Sequence, residues 1–277
     1  MSTLRLNEAT GATVGFAQRT GTRRRDQDEM AADERHPSTA SMELAEQRRH
    51  PRLGVQVPFL HREKAPDPSR VGVGWTRNIS ESGACLELAE QLEPRTPLRI
   101  RLRTDWGFVE ADAEVTWALG QQTVWAREGG PLQGGVLHGA RFNRIASEHP
   151  EGFRDWLGAR KAGRAGGVRL PADLSVLCYR RQGPVGPIHG RTRDINRKGA
   201  QLLLPETLNV GTSLDLLFMP ENGSFPVQAS VAWVRQEDGE GPGPPGSSGS
   251  LIRHGVRFPA LSWSSTLSLG LALTVLG

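Results

Sequence analysis

The chain has 277 residues, a formal net charge of +4 and a pI near 9.6, with 33 glycines and 19 prolines. That length accommodates two domains, each with its own core, and the Gly and Pro content favours turns and short strands over long helices. The two cysteines, Cys85 and Cys178, form no CxxC and no metal-ligand spacing, so they are expected to be reduced strand residues rather than a disulfide or metal framework.

The positive charge comes from arginine, since lysines are very few. Arginine suits planar recognition of phosphate and guanine, because its fork of donors matches two acceptors at once. The balance is compatible with a nucleic acid, an anionic membrane surface or an anionic nucleotide.

Residues 1 to 46 are rich in Thr, Ala, Arg, Asp and Glu, and their apolar residues follow no steady period. A disordered tail is expected there, with the basic run Arg23-Arg24-Arg25 solvated. Met1 to Arg25 lacks the apolar core of a signal peptide, and a cytoplasmic protein is expected. Next stands Arg48-Arg49-His50-Pro51-Arg52, in which the outer arginines share a side whether the segment is helical or extended.

From Leu53 the pattern changes to short strands. Val71 to Arg77 is strand-like, Asn78-Ile79-Ser80-Glu81-Ser82-Gly83 reads as a polar turn, and Ala84 to Leu88 is a second strand. Gly83 is expected to supply a positive φ in that turn. Leu98, Ile100 and Leu102 alternate with Arg99, Arg101 and Arg103, and Val109 to Trp117 alternates likewise, so one face of each strand is apolar. Turn residues at Pro94, Pro97 and Gly129-Gly130-Pro131 separate the runs, and strands at this spacing predict a closed or nearly closed antiparallel barrel. Gly139 to Phe142 is expected to form its last strand. Ser147 to Arg160 then predicts a helix with Phe153, Trp156 and Leu157 on one side, covering one end of the barrel.

The same order recurs. Gly83 and Gly199 are 199 − 83 = 116 apart, and the same offset relates Asn78 to Asp194, Trp117 to Trp233, Gly139 to Gly255 and Phe142 to Phe258. His-Gly-Ala-Arg-Phe at 138 to 142 returns as His-Gly-Val-Arg-Phe at 254 to 258. Such a match predicts duplication of a whole domain, with the boundary in Lys161 to Gly167. The Gly- and Pro-rich stretch Gln236 to Ser250 reads as a hairpin connection inside the second copy. Leu261 to Leu276 is interrupted by serines and too short for a membrane span, so it is expected to pack at the end of the chain.

Arg48 and Arg52 followed by Asn78, Ser80 and Gly83 read RxxxR and NxSxxG, in that order and about one strand apart. This pair resembles the signature of the PilZ domain, a bacterial receptor module for cyclic di-GMP. The resemblance covers Arg48 to about Arg160, and a weaker copy covers most of the C-terminal remainder. It implies a mainly β protein of tandem antiparallel barrels: a tail over 1–46, a ligand-binding domain over 47–160 and a degenerate, scaffolding domain over 161–277.

Cyclic di-GMP carries two phosphodiester anions and two guanines, each offering O6 and N7 as acceptors, and arginine can grip either group with two prongs. By resemblance, Arg48, Arg52, Asn78, Ser80 and Gly83 hold the ligand, with Arg49 as a neighbouring contact. Trp117 is nominated for stacking on a guanine, although its face is shared with Val115 and points to core packing. In the second copy the possible site is Arg160, Arg164, Asp194, Asn196 and Gly199. It departs from the family pattern, with Asn196 where Ser is expected and an arginine pair that overlaps the end of the first domain's helix. His138 and His254 have no carboxylate or cysteine partners at ligand spacing and are expected to be structural.

The expected function is therefore that of a cyclic di-GMP effector signalling to a protein partner, with no enzymatic step, no metal and no cofactor beyond the ligand itself. A nucleotide-independent interaction module is the alternative. A barrel binding single-stranded nucleic acid fits less well, because the aromatics face the core.

Overall fold

Alternation of the kind seen in Leu98-Arg99-Ile100-Arg101 makes a strand with one wet face, and a sheet of such strands buries its apolar face fully by closing on itself. The computed structural model describes residues 51–64, 71–119, 123–126, 130–145, 150–161, 167–183, 186–221, 223–236 and 251–275. The expectations for residues 1–46, for Arg48, Arg49 and Arg164, for the helix start at Ser147 and for the connection at 237–250 lie outside the described residues.

The first barrel comprises β1 (Pro58–Glu63), β2 (Gly72–Ser80), β3 (Gly83–Leu88), β4 (Pro97–Thr104) and β5 (Gly107–Leu119). After a separate ladder of β6 (Thr123–Ala126) with β7 (Gly130–Gln133), it is completed by β8 (Val136–Ile145). The strands pair antiparallel in the closed order β1, β2, β3, β8, β5, β4. Helix α1 (Pro150–Lys161) follows, with Phe153, Trp156 and Leu157 buried as its spacing predicts. Phe153 meets Phe142 of β8 edge-on at 6.3 Å between ring centres and stacks on Trp156 at 6.0 Å.

The second barrel uses β9 (Leu170–Pro171), β10 (Ser175–Arg180), β11 (Ile188–Asn196), β12 (Gly199–Leu204), β13 (Ser213–Met219), β14 (Phe225–Gln236) and β15 (Ile252–Arg257). Its ring runs β10, β13, β14, β15, β12, β11 and closes by pairing of β10 with β11, while β9 adds to β11. The chain ends in α2 (Trp263–Val275), whose apolar residues are not confined to one stripe. A helix apolar all round must be covered on more than one side. It lies against β1 and β2 of the first barrel as well as β14 of the second, and the Trp75 indole donates to the Thr266 carbonyl at 2.9 Å.

The duplication extends to irregularities. The β2–β3 register slips between Thr76 and Asn78, and β11–β12 slips between Thr192 and Asp194. The β5–β8 register slips between Val115 and Trp117, and β14–β15 between Val231 and Trp233. His138 Nε2 accepts the Leu92 amide at 3.0 Å while its Nδ1 faces the Val136 carbonyl, and His254 does the same with Leu208 and Ile252. Both histidines are therefore structural, each closing a loop onto its barrel. The indole of Trp117 covers Gly139, where an added Cβ would stand 2.1 Å from Nε1, and Trp233 covers Gly255 in the same way. Trp117 is thus lodged on β8 as packing.

Candidate functional site

The rim of the first barrel is set by one short pairing. Leu53 donates its amide to the Ile79 carbonyl at 2.8 Å and accepts the Ile79 amide at 2.9 Å. In an antiparallel pair this register puts Arg52 level with Ser80, so the only described arginine of the RxxxR motif stands beside the NxSxxG motif. Arg52 is exposed.

Asn78 and Ser80 belong to strand β2 rather than to a turn, and only Glu81 and Ser82 connect β2 to β3. The physical reason is the bulge at Arg77, which re-phases the strand and lets pairing continue to Ser80 opposite Gly83. The Ser80 hydroxyl donates to the Gly83 carbonyl at 3.1 Å and lies 3.4 Å from the Ser82 hydroxyl, closing the hairpin. Asn78 Oδ1 is buried and has no hydrogen-bond partner among the described residues. A buried acceptor left unpaired costs about 1–3 kcal/mol, so this carboxamide is prepared for a donor.

Gly83 does not carry the positive φ that a turn glycine would need. Its requirement is space: an added Cβ would stand 2.2 Å from the Ala140 carbonyl oxygen of β8, the strand paired alongside β3. Gly199 meets the Val256 carbonyl at the same 2.2 Å.

The rim is basic. Arg77 is half-exposed at the bulge, Arg141 reaches Glu114 at 3.5 Å, and Arg154 of α1 reaches Glu81 at 3.4 Å. Cys85 sits opposite Asn78. Burial pushes its thiol up, with the Glu87 charge adding to this and the charges of Arg52 and Arg77 opposing it. Arg77 was not among the residues singled out from the sequence, and its signal is adjacency to Asn78 alone.

The second copy is arranged differently. Leu170 pairs with Ile195, and Arg169 Nη1 donates to Asp194 Oδ1 at 2.6 Å. Asn196 is buried, and its Oδ1 accepts the Lys198 amide at 2.9 Å. Arg160 is held elsewhere: it grips both oxygens of Asp105, donates to the Trp156 carbonyl at 3.2 Å and lies over the Trp156 ring. Arg169, not Arg160, is therefore the arginine that the second barrel brings to Asp194. Its signal was the spacing, since Leu174 plays the part of Val57 at an offset of 174 − 57 = 117.

The turn Asn196 to Gly199 faces the first barrel. Arg197 Nη1 donates to Glu87 Oε2 at 2.7 Å and its guanidinium lies over the Trp75 ring at 5.4 Å. A cleft of about 70 Å³ beside it has Gln56, Val168, Asn196 and Lys198 in its walls. This contact covers Glu87, the charged residue of a strand that is buried along its whole length.

Such a fold defines a tandem six-stranded barrel protein, with an arginine and carboxamide rim on the first barrel and a docked turn on the second. The chain belongs to the PilZ domain family, whose model matches residues 46–156 and again 159–264. No curated protein sequence matches the chain. Among solved structures it is similar to apo MrkH of K. pneumonia, at 13% identity over 80% of this chain and 86% of that one, with a TM-score of 0.32. It is also similar to the Bacillus subtilis inhibitor of motility MotI/DgrA, at 12% identity over 79% and 95%, TM-score 0.29. A third is Escherichia coli YcgR in complex with c-di-GMP, at 14% identity over 78% and 82%, TM-score 0.31. No helix among the described residues is long and apolar enough to cross a membrane.

Proposed function

We propose that the chain is a cyclic di-GMP effector that binds the dinucleotide at the rim of its first barrel and changes the surface offered to a protein partner. The observation that carries this reading is the pairing of Leu53 with Ile79, which sets Arg52 beside Ser80 and next to the unpaired acceptor of Asn78. Arg52 supplies a planar donor pair for phosphate or guanine, and the Asn78 carboxamide accepts from a guanine amine. Arg48 and Arg49 precede it in sequence and would add two further guanidinium groups to the grip on the ligand. Ser80 and Gly83 hold the rim in shape. No catalytic step and no cofactor enter this mechanism.

The second barrel acts mainly as a scaffold. Its turn is engaged with Glu87, and the polar atoms that would face a ligand already have partners in Arg169 and Lys198. Isothermal titration of cyclic di-GMP into the wild type and into Arg52→Ala tests the reading. Saturable binding near micromolar concentration that is lost in Arg52→Ala is expected, and no saturable binding by the wild type overturns it.

A further inference from the structure

Glu87 is a carboxylate with only 8% of its side chain exposed, and among the described residues two guanidinium groups compete for it. Arg197 of the second barrel, itself 16% exposed, makes a charge-assisted hydrogen bond to Oε2 at 2.7 Å. Arg77 of the first barrel approaches the same oxygen only to 3.8 Å and keeps 46% of its side chain exposed. At 3.8 Å there is Coulomb attraction but no hydrogen bond, so Arg197 satisfies Glu87 and Arg77 is held loosely. Arg77 is also the bulge residue directly before Asn78, and its charge, like that of Arg52, is felt at Cys85 across the strand pair.

We propose that Arg77 is a further phosphate-binding residue of the dinucleotide site, and that Arg197 of the second barrel keeps it available by occupying Glu87. The inference rests on the reading of the rim as a cyclic di-GMP site. It also gives the degenerate turn of the second copy a task. Position 197 is the counterpart of Glu81 at 197 − 81 = 116, and an acidic residue there would repel Glu87 instead of holding it. Without Arg197, a buried Glu87 is left with Arg77 as its cation on the first barrel and draws it off the rim. The second barrel thus sets the affinity of the first without contacting the ligand.

Four variants of the full chain titrated with cyclic di-GMP test this. Arg77→Ala is expected to weaken binding about tenfold, as loss of one charge-assisted contact does. Arg197→Ala is expected to weaken it several-fold, and Glu87→Gln in the Arg197→Ala background restores it, because the amide no longer competes for Arg77. In the Arg77→Ala background, Arg197→Ala has no further effect. Restoration by Glu87→Gln separates this coupling from damage to the fold, which a second substitution at a buried site would not repair. Wild-type binding lost in Arg52→Ala but unchanged in Arg77→Ala overturns the inference and leaves the reading of the rim intact. Additive losses in Arg77→Ala and Arg197→Ala overturn the coupling, and absence of binding by the wild type overturns both.

Discussion

Arg95 and Gly211 stand at the same turn in the two barrels, at 211 − 95 = 116, and both have positive φ, 73° and 88°. Each donates its amide to a later strand of its own barrel, Arg95 to the Val115 carbonyl at 2.7 Å and Gly211 to the Val231 carbonyl at 2.8 Å. The turn therefore demands a left-handed residue in either copy, and an L side chain there carries roughly 1–2 kcal/mol of steric strain. Arg95→Gly is expected to stabilise the protein by about 0.5–1 kcal/mol, the strain relieved being partly offset by the freedom glycine has in the unfolded chain. The midpoint of urea unfolding should rise, and a fall would show that the Arg95 side chain makes a compensating contact.

The buried histidines give the fold a pH dependence whose sign is set by their hydrogen bonds. Burial lowers the pKa of His138, with the Val136 carbonyl opposing it, and lowers that of His254 with opposition from the Ile252 carbonyl and Glu206. In each, Nε2 accepts an amide and cannot hold a proton without losing that bond. The unfolded chain then binds more protons than the folded one as pH falls below the ordinary histidine value of about 6.5. Stability is full above that value and declines below it, through the depressed folded pKa values. His138→Gln should keep an acceptor for the Leu92 amide and flatten this decline, as measured by urea unfolding at about pH 5.5 and 7.5, on either side of the ordinary histidine value. An unchanged slope would assign the acid sensitivity to other groups.

The last helix of the chain supports the first barrel. The Trp75 indole is fully buried and bonds to Thr266, and Gly270 passes so close that an added Cβ would be 2.8 Å from Trp75 Nε1. Trp75→Ala is expected to cost about 3–5 kcal/mol. Removal of residues 264–277, which leaves Trp263 in place, should expose Trp75 and shift the tryptophan fluorescence to longer wavelength, although the deleted segment lies beyond the second barrel in the chain. An unchanged spectrum would mean that the helix does not cover this ring in solution.

The barrels and their duplication were legible in the sequence because alternation and a fixed offset are local signals, visible in Leu98 to Arg103 and in the pair Trp117 and Trp233. The extent of β2 was not, since the bulge at Arg77 leaves no mark in the hydrophobic pattern. Gly83 is required for space and not for the positive φ expected of it, because the approach of Ala140 from β8 is a tertiary fact. Helix α2 has no apolar stripe, being covered by both barrels, so its periodicity is weak. The Arg197 to Glu87 contact joins residues 197 − 87 = 110 apart and arises from docking, which no spacing encodes.

Arg160 tests how the two copies divide their labour. It caps α1 onto the β4–β5 hairpin through Asp105, with 18% and 26% of the two side chains exposed, and its guanidinium lies over Trp156 at 4.7 Å. Arg160→Ala would leave the Asp105 carboxylate with the Trp156 indole, which donates to it at 2.8 Å. The loss should cost about 1–3 kcal/mol, discounted for that partial exposure. If Arg160 serves only this cap, cyclic di-GMP affinity and stoichiometry stay at wild-type values while the unfolding midpoint falls. Arg169→Ala, which releases Asp194, should likewise leave the stoichiometry unchanged, because Asn196 and Arg197 remain committed to Lys198 and Glu87. A halved stoichiometry in either variant would establish a second ligand site on the second barrel and contradict its role as scaffold.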